Sequence, residues 1–217
     1  LVFASSAAVY GPGAGVLAED APKAPGSIYG QTKLAAERLI EARCRSDGLT
    51  AIALRYFNAA GADPGGLIGE AHAPETHLIP LAIAAAEGVG PPLTVFGADF
   101  PTRDGSCLRD YVHVDDLARA HLAAVTARLP AGAFEAVNLG AGRGHSVFEV
   151  LEAVGEAAGR PVPWCPGPRR TGDPASLVAD PARAGALLEW SPLRSDLDLI
   201  VRDALRWARA PAYGSGS

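Results

Sequence analysis

The chain has 217 residues, 48% of them apolar and 20% charged, with a net charge of −5. This is enough for one large or two small domains with a real core. The acidic balance argues against nucleic acid or an anionic membrane as partner, and no apolar run reaches the length of a membrane span. Cys44, Cys107 and Cys165 are odd in number and widely spaced. They fit neither a zinc pattern nor a disulfide framework and point to a reducing cytoplasm.

The chain opens with a buried-strand pattern at Leu1 to Ser5 and contains no methionine. A core strand needs neighbours on both sides, so an N-terminal segment is expected to precede it. Tyr10 to Gly26 reads as a Gly/Pro-rich loop, and Ser27 to about Ser46 as a helix with Ser27 as N-cap. Leu49 to Phe57 is the next strand, which gives a strand–helix–strand crossover in a parallel sheet. Asn58 to Thr76 reads as loop. "HLIPLAIAAAEG" is a helix with Pro80 in its first turn and Gly88 at its end. A short strand "LTVFG", a loop to Asp110 and a strand "YVHV" lead to a helix opened by Asp115 as cap. "FEAVNLG" is a strand and "SVFEVLEAVGEAAG" a helix. "DPARAGALLEW" and "SDLDLIVRDALRWARA" are the last helices, the second with Leu197, Val201, Ala204 and Ala208 on one face. "YGSGS" reads as a flexible tail. Alternation of strands and helices makes the chain α/β.

Tyr29 and Lys33 stand four apart on a predicted helix, hence on one face. There are only two lysines against seventeen arginines. An ammonium beside a phenol favours the phenolate, so the pair suits a general base acting on a hydroxyl. Ser6 lies at the C-terminal end of a strand, where open parallel sheets place their ligands, and can hydrogen-bond the same hydroxyl. His113 with Asp115 and Asp116 lacks further metal ligands, and Asp115 reads better as a cap; no metal site is expected.

The stretches "SSAAVYG", "YGQTK", "LRYFNAAGADP", "THLIP", "VFGADFPTRDG", "LRDYVHVDDLA", "NLGAGRGHSV" and "RRTGDPASLVADPARA" occur in this order. Together they resemble the UDP-glucose (UDP-galactose) 4-epimerases of the extended short-chain dehydrogenase/reductase superfamily, over nearly the whole chain. The resemblance implies a doubly wound, Rossmann-like parallel sheet, N-terminally truncated, with a smaller α/β substrate-binding lobe. Residues 1–58 would be the C-terminal part of the dinucleotide-binding domain, with 110–142 returning to it. Residues 59–217 would be mainly the UDP-sugar lobe. It implies NAD as cofactor, a UDP-sugar substrate and a homodimer. Tyr29 would be the catalytic base and acid, with Lys33 holding the nicotinamide ribose and Ser6 assisting proton transfer. Hydride would leave carbon 4 of the sugar for NAD, and the 4-keto sugar would turn over before hydride returns to its other face.

Ser5, Tyr56 and Phe57 would also face the cofactor. Asn58, His77, Leu78, Thr94 and Phe96 would line the nucleotide pocket. Arg109 and Arg170 would hold the diphosphate, Asp173 the uridine ribose, and Leu177 would stand at the gate that sets sugar size. Many family members carry asparagine where His77 stands. No G-x-G-x-x-G turn is present: Gly11 to Gly15 is not followed by a helix pattern, and Gly140, Gly142 and Gly144 miss the spacing. A fragment with poor activity of its own is therefore expected. A related dehydratase would need an acidic pair near the serine, where Ala7 and Ala8 stand. A sugar-nucleotide-binding protein without catalysis is the reading from another class.

Overall fold

The computed structural model describes residues 1–11, 15–170 and 172–212. Strand β1 (Val2–Ser6) runs into a 3-10 turn (Ala7–Val9), followed by β2 (Val16–Leu17) and helix α1 (Ile28–Asp47). Next come β3 (Ala51–Tyr56), β4 (Asn58–Ala60), α2 (Leu78–Glu87) and β5 (Leu93–Phe96). Then follow β6 (Leu108–His113), α3 (Val114–Thr126), β7 (Phe134–Leu139), β8 (Gly144–Ser146) and α4 (Val147–Ala158). The chain closes with β9 (Trp164–Gly167), β10 (Ser176–Ala179), α5 (Ala182–Leu188) and α6 (Leu197–Arg209). The α/β class read from the sequence is the one observed. Among the described residues no helix is long and apolar enough to cross a membrane.

β3 lies between β1 and β7 in an all-parallel sheet, and α1 is the crossover from β1 to β3. The first five residues of β3 are buried, as expected of a parallel strand covered on both faces. A second sheet has the order β2-β10-β6-β4, also parallel, with β8 antiparallel to β6. β5 and β9 form a separate parallel pair. One hydrophobic core gathers α2, α4 and α6 around Ile83, Val150 and Ile200. Another packs α3 and α5 on β3 and β7, around Leu54, Val112 and Leu139. A smaller one holds Val9, Leu34 and Phe57 together beside the 3-10 turn.

The helix ends follow local chemistry. Ser27 accepts the Gly30 N–H at 3.0 Å and Gly48 closes α1 at φ 72°. Ser146 and Glu149 form a reciprocal capping box on α4. Two expectations are corrected here. The cap of α3 is His113, whose Nδ1 accepts the Asp115 N–H at 3.0 Å, so Asp115 lies inside the helix. On α6, Leu197 and Val201 are buried and Ala204 half-buried, but Ala208 is exposed. The inward face instead uses Ile200, Leu205 and Trp207.

Strands β2 and β4 fall in stretches that read as loop, β8, β9 and β10 where the sequence pattern marks no strand, and β6 begins three residues before "YVHV". Each of the five is two to four residues long. Such segments show too little periodicity to register and are fixed by their partners. The tail Tyr213 to Ser217, and Pro12 to Ala14 of the glycine-rich stretch, lie outside the described residues.

Candidate active site

Ser6 ends β1 and pairs in register with Tyr56 at the end of β3. Its hydroxyl accepts the Ala8 N–H at 3.1 Å and so opens the 3-10 turn. Helix α1 starts hard against that turn. A Cβ on Gly30 would meet the Ala8 carbonyl oxygen at 2.1 Å, so only glycine permits this approach. Gly30 thus sets Tyr29 beside the strand end, a role that the sequence reading did not assign. Tyr29 is 55% exposed, leaving its phenol accessible. Lys33 Nζ donates to the Ala4 carbonyl at 2.8 Å and lies 5.5 Å from the Tyr29 ring centroid. The two predicted partners are together, one turn apart, at the C-terminal end of a parallel sheet.

Tyr56 is half-buried, and its hydroxyl meets His121 Nε2. Burial pushes the Tyr56 phenol up, and neighbouring Tyr29 adds to the effect. Phe57 is buried in the small core. Ser5 has a buried side chain that donates to Glu37 Oε1 at 2.5 Å, committing the hydroxyl to the interior.

A cavity of about 880 Å³ opens beyond Asn58. From Tyr56, beside Ser6, to Asn58 the chain spans at most about 7 Å. Asn58, His77 and Leu78 line one part of the cavity, and Thr94 and Phe96 of β5 another. Arg109, Arg170 and Asp173 complete the predicted set within it. Arg170 stacks over the Phe96 ring at 4.1 Å. Arg109 donates to the Leu108 and Pro174 carbonyls at 2.8 and 2.9 Å, and its Nη2 lies 3.4 Å from Asp173. Cys107 also faces the cavity, its thiol pushed up by burial, which leaves it a poor nucleophile. Leu177 is not among the cavity walls. It pairs with Arg109 across β10 and β6 and packs against the small core.

Two charged residues that sequence reasoning missed hold this frame. Arg55, inside β3, and Glu37, on α1, are 2% and 3% exposed. They form a two-pronged ion pair at 2.9 and 2.6 Å, and Arg55 also donates to the Tyr10 hydroxyl at 2.8 Å. An arginine in an otherwise apolar strand was the available signal. His113 is fully buried, with Nε2 3.3 Å from Asp203 Oδ2. Asp116 accepts from the Ser195 hydroxyl and the Leu193 and Arg194 backbone. Both are structural groups.

The residues at the strand end fit a dinucleotide's ribose. Lysine carries three N–H donors and the Ala4 carbonyl takes one, leaving two for a vicinal diol beside an accessible phenol.

Residues 1–140 match the model of the NAD dependent epimerase/dehydratase family. A UDP-glucose 4-epimerase of Halalkalibacterium halodurans is 44% identical over 215 residues, 99% of this chain and 64% of the relative. The crystal structure of UDP-glucose 4-epimerase from Brucella ovis in complex with NAD superposes with a TM-score of 0.87. It is 47% identical, covering 94% of this chain and 63% of that one. The epimerase of Stenotrophomonas maltophila, with bound NAD and formylated UDP-arabinopyranose, gives a TM-score of 0.91 at 41% identity. That match covers 97% of this chain and 63% of the other. The chain thus spans somewhat under two thirds of the length of these relatives.

Proposed function

Because the chain belongs to the NAD dependent epimerase/dehydratase family, we propose that it carries the catalytic pair and substrate pocket of a UDP-glucose 4-epimerase. The observation that carries this reading is the placement of accessible Tyr29 and Lys33 at the strand end beside Ser6. We assign residues 1–58, with 110–142 returning, to the dinucleotide-binding domain and 59–217 mainly to the UDP-sugar lobe. The return of β7 to the sheet of β1 and β3 supports that division.

NAD, when bound, supplies reversible hydride acceptance. Lys33 holds its ribose diol and keeps a positive charge beside the phenol. Tyr29 takes the proton of the sugar's 4-hydroxyl and later returns it, while Ser6 hydrogen-bonds the same oxygen. Arg170 and Arg109 hold the diphosphate, because guanidinium makes charge-assisted bonds to its oxygens. Ala7 and Ala8 supply no acid next to Ser6, which favours epimerase over dehydratase chemistry. A cytoplasmic homodimer of galactose metabolism fits the three free cysteines and the exposed Leu39, Leu122 and Val125.

The test is conversion of UDP-galactose to UDP-glucose by the full-length protein with NAD. Tyr29→Phe is expected to lower turnover by about 10²–10⁴-fold, with unchanged circular dichroism and UDP binding. A Tyr29→Phe enzyme as active as the parent would overturn the assignment.

A further inference from the structure

Four side chains outside the catalytic pair converge where residues 70–77 lead into α2. His77 Nδ1 lies 2.6 Å from Glu70 Oε1 and 2.8 Å from Glu75 Oε1. One ring nitrogen carries at most one proton, so that proton can serve only one of the two carboxylates. The His72 ring packs edge-on to the His77 ring, with centroids 5.2 Å apart. One donor atom from each of His72, Glu75 and His77 lies within 4.8 Å of the others.

The frame around them is held. Glu75 Oε1 accepts the N–H groups of Thr76 and His77, both at 2.7 Å. The Glu70 carbonyl accepts from Trp207 Nε1 at 2.8 Å, which ties this segment to α6. His77 stands at the N-cap of α2 but makes no side-chain cap, its ring being turned to the carboxylates.

We propose that His72, His77, Glu70 and Glu75 form a binding site for a first-row divalent cation of the Zn²⁺ type, at the edge of the large cavity. Two imidazoles and two carboxylates are the donor number and chemistry that zinc takes. Zinc bonds near 2.1 Å put tetrahedral donors roughly 3.4 Å apart, so the two His77–carboxylate contacts must open by less than an ångström, while the His72 donor, within 4.8 Å of His77 and Glu75, settles at the same separation. On binding, the shared N–H bond breaks, its electron pair forms the nitrogen–metal bond, and the proton leaves to buffer. Calcium and magnesium are excluded by their preference for all-oxygen shells. Glu70 and His77 also line the cavity, so the cation fixes its edge.

The experiment is calorimetric titration of Zn²⁺ into full-length protein without a histidine tag, beside its His72→Ala variant. His72 is exposed and lies outside the cavity walls, so its removal leaves the fold intact, checked by circular dichroism. One Zn²⁺ per chain is expected, with an enthalpy that follows the buffer's ionisation enthalpy, and affinity weaker by about tenfold or more in the variant. No saturable uptake at submillimolar Zn²⁺, or a variant that binds as tightly as the parent, overturns the proposal. The readout is metal uptake, so it stands or falls apart from the epimerase reading.

Discussion

Asp110 has no exposed surface, and its carboxyl receives the N–H groups of Ala141, Gly142 and Ala179 at 2.7, 2.9 and 3.0 Å. Burial pushes its pKa up to about 6, and the three donors work in the opposite direction. A carboxyl raised in the fold binds protons more readily there than in the unfolded chain, whose ordinary value is near 3.9. Its contribution to stability is therefore complete below about pH 4 and is lost as pH rises through about 6. Chemical denaturation across that window should show this slope, and Asp110→Asn should remove it. An unchanged slope in the variant would assign the titration to another group. Asp110 directly precedes Tyr111 in β6 and follows the cavity residue Arg109, so its charge state sits inside the wall that shapes the pocket.

Helix α1 is positioned by two contacts of different kinds. Gly30 lets its first turn rest on the Ala8 backbone, and Glu37 grips Arg55 from the middle of the helix. Glu37 stands four residues after Lys33, on the stripe that also buries Leu34 and Cys44. Glu37→Gln leaves the Arg55 charge buried and uncompensated, and is expected to cost about 3–5 kcal/mol in urea unfolding. A cost below about 1 kcal/mol, the worth of an exposed pair, would mean the pair is not buried in solution. The helix itself was legible from Ser27 and the periodic pattern, and Tyr29 and Lys33 from their spacing. Glu37 was not, because a charged residue on a helix normally faces water. Nothing local shows that a strand eighteen positions on will present a guanidinium to it. The short strands β9 and β10 escaped for a related reason. Their residues acquire strand geometry only by pairing with β5 and β6, far away in the chain.

At the scale of the whole molecule, the cavity collects side chains from segments scattered between Asn58 and Arg170 and beyond. The motifs named eight of these residues, while their convergence needed the fold. Arg109 and Arg170, the two expected at the diphosphate, are unequal. Arg109 is engaged by two carbonyls and Asp173, so its loss would disturb β10 as well as the pocket. Arg170 is braced by the Phe96 ring, which makes it the cleaner probe of anion binding. Arg170→Ala should weaken UDP by about ten- to a hundredfold, the equivalent of one charge-assisted hydrogen bond. Titration calorimetry with UDP reads this directly, and an unchanged affinity would remove Arg170 from the diphosphate site.

Strand β6 sends Tyr111 into the core of α2, α4 and α6, and the next residue, Val112, into the core of α3 and α5. Those two cores alternate along the chain, with Ile52 and Leu54 in one, Ile83 in the other, and Trp190 and Ile200 divided between them again. No contiguous length of chain holds either core by itself. The two cores therefore have no seam at which one could be exchanged by a single crossover, so the cavity and the Tyr29–Lys33 pair form one indivisible unit of sequence.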